Sequence, residues 1–132
     1  MNKLTFITGN AAKAQYLADY FSLPVEHVKL DLKEIQSLDT TEVAIDKAKR
    51  AYDIVQGPVL VEDVSLVFVA LKKLPGPLIK WFYETLGNEG LCDLIDKLGD
   101  REAVSQVVFA LCDEDGVHTF EDTQAGTIAV KP

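Results

Sequence analysis

Apolar and polar positions along the chain follow the periods of short strands and amphipathic helices. Residues 3–8 form a β-prone run in which every second side chain lies on one face, which predicts a strand. The alanine-rich segment that begins at Ala11 favours a helix, and Pro24 ends it. Residues 25–32 predict a second strand. The chain is therefore expected to open as strand, turn, helix and strand.

The middle of the chain predicts a second helix and a short buried strand. Across residues 42–55, apolar side chains recur at spacings of four, three and four, so they share one helical face. Thr40 or Thr41 is expected to cap this helix. Residues 59–61 are continuously apolar, as in a strand buried on both faces, and we expect this strand to end at Glu62.

The second half of the chain predicts two helices followed by three strands. A tight turn at Pro75-Gly76-Pro77 precedes an aromatic helix, and a further helix begins after Gly87-Asn88 and ends at Gly99. Residues 113–116 have the composition of a hairpin turn between the first two strands. The three strands are expected at residues 103–112, 117–121 and 127–130. Strands that alternate with helices in this way predict an α/β fold.

The composition is that of one globular domain spanning residues 1–132. This length is too short for two independent cores, and 48% hydrophobic residues are sufficient to build one. The 13 basic and 21 acidic residues give a net charge of −8, which argues against binding to nucleic acid or to anionic membranes. Neither a spanning apolar run nor a signal peptide is evident, so we expect a cytoplasmic protein. Cys92 and Cys112 lie in apolar patterns typical of core thiols.

The first candidate for chemistry is the turn Thr8-Gly9-Asn10 with Lys13 one helical turn later. Amide groups at a helix start carry partial positive charge, so they bind oxyanions, and Gly9 allows a close approach. Lys13 adds a mobile positive charge. The alternative interpretation is an ordinary capped turn followed by a solvated lysine.

The second candidate is the carboxylate pair Glu62 and Asp63 after the buried strand. Carboxylates held at strand ends suit Mg²⁺, which takes one or two of them together with water and substrate phosphates. A metal of this kind would let an acidic protein bind a triphosphate. The alternative is a pair of solvated carboxylates. Glu42 and Lys47 on the second predicted helix are a weaker candidate pair, because an acid at a helix start is favoured by the dipole alone.

Several ordered blocks together resemble the inosine triphosphate pyrophosphatase (Ham1) family. The resemblance covers nearly the whole chain, and it is most specific where the sequence reads Gly-Pro-Val-Leu-Val-Glu-Asp and Ile-Lys-Trp-Phe. The matching blocks are residues 6–13, 42–47, 57–63, 74–77, 79–82 and 125–128.

The resemblance implies an elongated, two-lobed mixed-sheet fold with a central cleft, assembled as a homodimer. It implies Mg²⁺-dependent hydrolysis of the triphosphates of inosine, deoxyinosine or xanthosine to the monophosphate and pyrophosphate. Three sets of residues receive roles by position. Thr8, Gly9, Asn10, Lys13 and Lys47 would bind the substrate phosphates; Glu42 and Asp63 would hold the metal; Asp63, Glu62 and Lys13 would be catalytic.

Two departures from the family pattern bear on activity. Tyr16 stands where the family places a glutamate, and the sequence ends at Pro132, before the family's C-terminal segment that contacts the base. The leading hypothesis is a pyrophosphatase, because Lys13, Glu42, Glu62 and Asp63 are all present. The alternative is a catalytically impaired relative that acts as a nucleotide-binding or subunit-interaction module.

Overall fold

The computed structural model of the protein describes residues 3–132 and shows a mixed sheet accompanied by helices. The helices of this part of the chain are α1 (Ala11–Phe21), α2 (Thr40–Val55) and α3 (Ile79–Leu98), with one 3-10 turn at Val69–Leu71. Its strands are β1 (Leu4–Ile7), β2 (Val25–Val28), β3 (Val59–Phe68), β4 (Pro75–Gly76), β5 (Glu102–Asp113) and β6 (Gly116–Thr127). The predicted α/β class is confirmed. No helix among the described residues is both long and apolar enough to cross a bilayer.

The sheet has the strand order β2-β1-β3-β5-β6, with the short β4 paired to β3. Strand β1 runs parallel to both β2 and β3, whereas β3 and β4 are antiparallel. In the β1–β3 register, Thr5 lies beside Val59 and Phe6 beside Leu60. Continued by two residues, the same register brings Thr8 level with Glu62. The loops that follow β1 and β2 therefore meet residue 62 at one edge of the parallel strands.

The chain divides into two compact units. The first comprises the residues up to Ile35, Thr41–Glu62 and Phe109–Phe120. The predicted apolar face of α2 is buried here: Ala44, Ala48 and Ala51 are fully enclosed. Phe6 is also fully buried, and its ring lies 6.3 Å from that of Phe109. Small side chains on the helix permit close packing around these larger rings.

The second unit comprises Gln36–Thr40, Asp63–Val108 and Glu121–Pro132. Its core is built on Phe68, Leu91, Ile95 and Ala103, with partly buried apolar side chains packed around them. Helix α3 is interrupted at Gly87, whose φ of 68° and ψ of 177° are not helical. The two helices predicted on either side of this glycine are therefore confirmed, although they are nearly continuous. Gly99 ends the second of them in the left-handed conformation.

Three predictions of local structure were wrong. Strand β3 does not end at Glu62; it continues to Phe68 because Asp63 and Ser65 occupy buried positions that extend the alternating pattern. Strand β2 ends at Val28 rather than at residue 32. The last two predicted strands form one long β6 that ends at Thr127, so residues 128–130 are not a strand. The cysteines are both buried and unpaired, as expected for core thiols.

Candidate active site

The turn between β1 and α1 is closed by its own polar groups. The amide of Thr8 donates to the carbonyl of Val28 at 3.0 Å, which ties the end of β1 to the end of β2. The amide of Asn10 donates to the Thr8 hydroxyl at 3.1 Å, and the Asn10 side-chain oxygen accepts from the amide of Lys13 at 3.1 Å. Of the two side chains in this turn that could cap α1, Asn10 is therefore the N-cap, and the helix terminus faces the edge where the parallel strands end.

Lys13 reaches from the first turn of α1 to β3. Its Nζ atom lies 2.7 Å from Oε1 of Glu62, with both hydrogen-bond and ion-pair geometry. The side chains are 42% and 20% exposed, respectively, so the pair is accessible to solvent from the lysine side. The parallel register explains the contact, since it places the start of α1 beside residue 62. Two of the predicted site residues are thus brought together.

Lys47 approaches the same point from α2. Its Nζ atom donates to the backbone carbonyl of Glu62 at 3.1 Å and lies 2.9 Å from Oε1 of Glu34. The Lys47 side chain is only 15% exposed, whereas Glu34 is 41% exposed. Two predicted phosphate-binding lysines therefore converge on residue 62, one on its carboxylate and the other on its carbonyl.

Glu34 is the member of this cluster that the sequence reasoning missed. It lies in the loop after β2, which is one of the strands that end at this edge of the sheet. The signal that would have found it is topological: β2 is parallel to β1, so the loops after both strands emerge on the same side.

Gly9 lies close to the side chain of a third lysine, Lys29. A Cβ atom on this glycine would stand 3.3 Å from Cδ of Lys29, so the methylene chain of Lys29 lies close against the turn. The backbone conformation alone does not demand glycine here, because Gly9 is not among the residues with positive φ. Because glycine has no side chain, the backbone of this turn stays open to close approach by a ligand.

Glu42 and Asp63, the two predicted metal ligands, have contrasting environments. Glu42 is exposed on the first turn of α2. Asp63 is buried, at 9% exposure, on the face of β3 that also carries Ser65. Because successive side chains of a strand point to opposite faces, Asp63 and its neighbour Glu62 are directed away from each other. Within residues 3–132, no three acidic, histidine or cysteine side chains gather as a ready-made metal site.

Tyr16, which replaces the glutamate of the family pattern, lies on the exposed surface of α1. Its ring is 68% exposed and stacks on that of Tyr20 with centroids 6.3 Å apart. A bulky aromatic therefore stands one turn after Lys13, in place of a carboxylate.

Two curated proteins of similar sequence are both named inosine triphosphate pyrophosphatases. A Trypanosoma cruzi protein named inosine triphosphate pyrophosphatase 2 is 43% identical over 134 residues, which cover 99% of this chain and 68% of that protein. A Neurospora crassa protein named inosine triphosphate pyrophosphatase is 49% identical over 108 residues, covering 80% of this chain and 56% of that protein. The chain thus spans between half and about two thirds of the length of these two relatives.

Solved structures agree at the level of the fold. A Ham1 protein from Coxiella burnetii superposes with a TM-score of 0.83 at 21% identity, over all of this chain and 75% of the other. The Staphylococcus aureus Ham1 protein gives 0.77 at 23% identity, over 98% of this chain and 73% of that chain. A sequence model described as the Ham1 family matches residues 4–132. By that match and by its close relatives, the chain belongs to the Ham1 family, as its sequence motifs predicted.

Proposed function

We propose that this protein is a nucleoside triphosphate pyrophosphatase that acts on noncanonical purine nucleotides. The observation that carries the proposal is the convergence of Lys13 and Lys47 on Glu62, beside the capped start of α1. Lysines and a helix N-terminus are groups that bind phosphate. The names of the curated relatives supply the substrate class, which is inosine triphosphate and its analogues.

The reaction is attack of water on the α-phosphorus of the triphosphate. The new bond joins the water oxygen to this phosphorus, the bond to the oxygen that bridges to the β-phosphorus breaks, and pyrophosphate leaves with the electron pair. Thr8, Gly9, Asn10 and Lys13 would hold the phosphate chain at the start of α1. Lys47 would neutralise negative charge that develops on the phosphate oxygens. We assign the proton taken from water to Asp63. Glu62, whose side chain is directed away from that of Asp63, would act by positioning Lys13 through their ion pair.

The oxygen donors near this point are of the chemical type that suits a magnesium ion, while no three of them gather among the described residues. Glu34 and Glu62 both lie within contact distance of lysines that flank the same point, and Glu42 and Asp63 are further proposed donors. Mg²⁺ takes one or two carboxylates and completes its coordination with water and substrate phosphates, so a closed protein cage is not needed. When bound, the ion would supply charge neutralisation on the phosphates.

The test is pyrophosphate release by the purified protein with Mg²⁺, using the triphosphates of inosine, deoxyinosine, xanthosine, adenosine and guanosine. Asp63→Asn should abolish release, while Asp122→Asn, at an exposed position on β6, should leave it unchanged. Equal release by both variants would remove Asp63 from the site.

No release by the unchanged protein would overturn the pyrophosphatase proposal and leave the binding or interaction module. A rise in melting temperature with a triphosphate would then identify nucleotide binding, since a ligand that binds only the folded state stabilises it. The absence of any such rise would leave interaction with another protein subunit.

We also propose a homodimer. Strand β6 lies at the edge of the sheet, and residues 118–127 on it are all exposed. A long exposed edge strand offers unpaired backbone groups to another chain, which favours association. Light scattering coupled to size-exclusion chromatography should give twice the 14.5 kDa chain mass, and a monomeric mass would refute the dimer.

A further inference from the structure

Both lysines at the proposed phosphate site are already engaged with carboxylates. Lys13 pairs with Glu62 at 2.7 Å, and Lys47 pairs with Glu34 at 2.9 Å. Carboxylate and phosphate oxygens compete for the same ammonium donors. A triphosphate that binds here therefore competes with a carboxylate at each lysine.

The geometry points to a charge exchange between these ion pairs and the substrate, and this inference rests on the proposed function. Glu62 and Glu34 hold the two lysines in ion pairs, so they compete with the phosphates for them. A divalent cation that takes up the carboxylates weakens their hold on the lysines, which are then available to the phosphates. Cation and triphosphate consequently favour each other's binding through the protein, in addition to their direct attraction, and by linkage the effect is reciprocal.

The two pairs are suited to open in different ways. In the first, Lys13 is the more exposed partner, so its ammonium can leave Glu62 and remain hydrated while it turns toward a ligand. In the second, Lys47 is the more buried partner and is held in addition by the Glu62 carbonyl at 3.1 Å. Glu34, at 41% exposure, is therefore the group that moves away, and Lys47 stays in place.

The affinity for triphosphate in the absence of a cation distinguishes competition by Glu62 for Lys13 from a role of Glu62 as a metal ligand alone. If Glu62 only binds the cation, Glu62→Gln has no effect on triphosphate affinity when no cation is present. If Glu62 also competes for Lys13, the same variant binds triphosphate more tightly without cation. Removing a solvent-accessible ion pair of this kind should change the dissociation constant of the triphosphate by about 1.5- to 5-fold.

The experiment is isothermal titration calorimetry with the α,β-methylene analogue of inosine triphosphate, which cannot be cleaved at the reacting bond. Dissociation constants are measured in EDTA and in excess Mg²⁺ for the unchanged protein, Glu62→Gln and Glu26→Gln. Glu26 is the matched control, since its carboxylate also pairs with a lysine, Lys3, at 2.7 Å. Both variants remove one negative charge from the same unit of the protein.

We expect Glu62→Gln to bind the analogue about 1.5- to 5-fold more tightly than Glu26→Gln in EDTA, and to show a smaller gain in affinity on addition of Mg²⁺. In a Lys13→Gln background, the effect of Glu62→Gln in EDTA should vanish. Equal affinities of the two variants in EDTA, or weaker binding by Glu62→Gln, would overturn the inference. If Glu62→Gln melts below the assay temperature, Glu34→Gln replaces it and the same comparison applies through Lys47.

Failure of the proposed function gives a different result. If the unchanged protein binds the analogue in neither EDTA nor Mg²⁺, the nucleotide site is absent and both proposals fall together. If it binds the analogue but releases no pyrophosphate from inosine triphosphate, the pyrophosphatase proposal falls alone, and the comparison of variants in EDTA still decides the exchange. Binding that is enhanced by Mg²⁺ in the unchanged protein but unaffected by Glu62→Gln in EDTA would refute the exchange alone.

Discussion

Replacing Lys47 by methionine is the most informative single change at the site. Methionine keeps an unbranched, apolar side chain of similar length, so the packing along α2 is largely preserved. The contacts that this change removes include the 2.9 Å ion pair with Glu34 and the 3.1 Å hydrogen bond to the Glu62 carbonyl. It therefore isolates the charge of the ammonium group from the space that its stem fills.

The expected loss of stability follows from the exposure of the partners. Glu34 is 41% exposed and becomes hydrated once the lysine is gone, so its ion pair contributes no more than about 1 kcal/mol. A hydrogen bond from a charged donor contributes about 1.5 kcal/mol or more, but the partly buried ammonium also has a desolvation penalty that the methionine lacks. We expect a net loss of about 1–2 kcal/mol, equivalent to a fall in Tm of about 4–8 °C.

Two measurements test this reasoning. Urea unfolding should show Lys47→Met to be less stable than Lys13→Met, because Lys13 is 42% exposed and its pair is worth little. Pyrophosphate release should fall by about 100-fold or more in Lys47→Met, and Lys47→Arg should recover part of it. Equal stability of the two methionine variants would refute the assigned burial and contacts of Lys47. Undiminished release would remove it from the phosphate site.

Three further predictions concern the scaffold. The Arg101 guanidinium donates hydrogen bonds to two carbonyl groups after β6, those of Ile128 and Ala129. Arg101→Met should therefore lower the free energy of unfolding in urea by about 1–2 kcal/mol and speed amide exchange at residues 128–130. Unchanged exchange at these residues would contradict this prediction. Gly87→Ala should destabilise the protein by about 1–3 kcal/mol, because the backbone φ of 68° is strained for any residue with a side chain. Gly57→Ala should be neutral or stabilising, because the added Cβ would meet open space. Equal effects of the two substitutions on urea unfolding would refute backbone strain at Gly87. Burial, more than the carboxylate of neighbouring Asp113, raises the pKa of Cys112 above its ordinary value of 9.0. The neutral Cys112 thiol therefore contributes its full stability below pH 9.0, and this contribution is lost as the pH rises from that value through the raised pKa. The free energy of unfolding in urea should fall more steeply across this pH range in the unchanged protein than in Cys112→Ala.

Features set by local sequence were predicted correctly. Asn10 caps α1 because its side chain can accept a hydrogen bond from the third helical amide, a property of the residue type and its position. The break in α3 occurs at Gly87 for an equally local reason, since the conformation there is open to glycine and closed to other residues. The buried face of α2 followed from the spacing of its alanines.

Features that depend on burial by distant parts of the chain were not predicted. Asp63 and Ser65 are polar, so the sequence pattern indicated the end of a strand, yet both are enclosed and β3 continues through them. The pairing of Lys47 with Glu34 joins α2 to the loop after β2, and no local spacing relates these two residues. Such contacts become predictable only once the strand order is known, because it is the parallel arrangement of β1, β2 and β3 that brings the loops together.

The structure also changes the meaning of the net charge of −8. From the sequence alone, an acidic protein that binds a triphosphate needs a bridging metal ion on one side of the phosphates and lysines on the other. At this site the lysines are instead balanced by carboxylates, since Lys13 and Lys47 each have an acidic partner within 3 Å. A free triphosphate therefore meets a neutral cluster, whereas a triphosphate that arrives with a divalent cation brings a partner for the displaced carboxylates. If the proposed exchange operates, the same acidic residues that oppose binding of the bare anion would favour binding of its metal complex, which is the form of the substrate that the proposed pyrophosphatase would use.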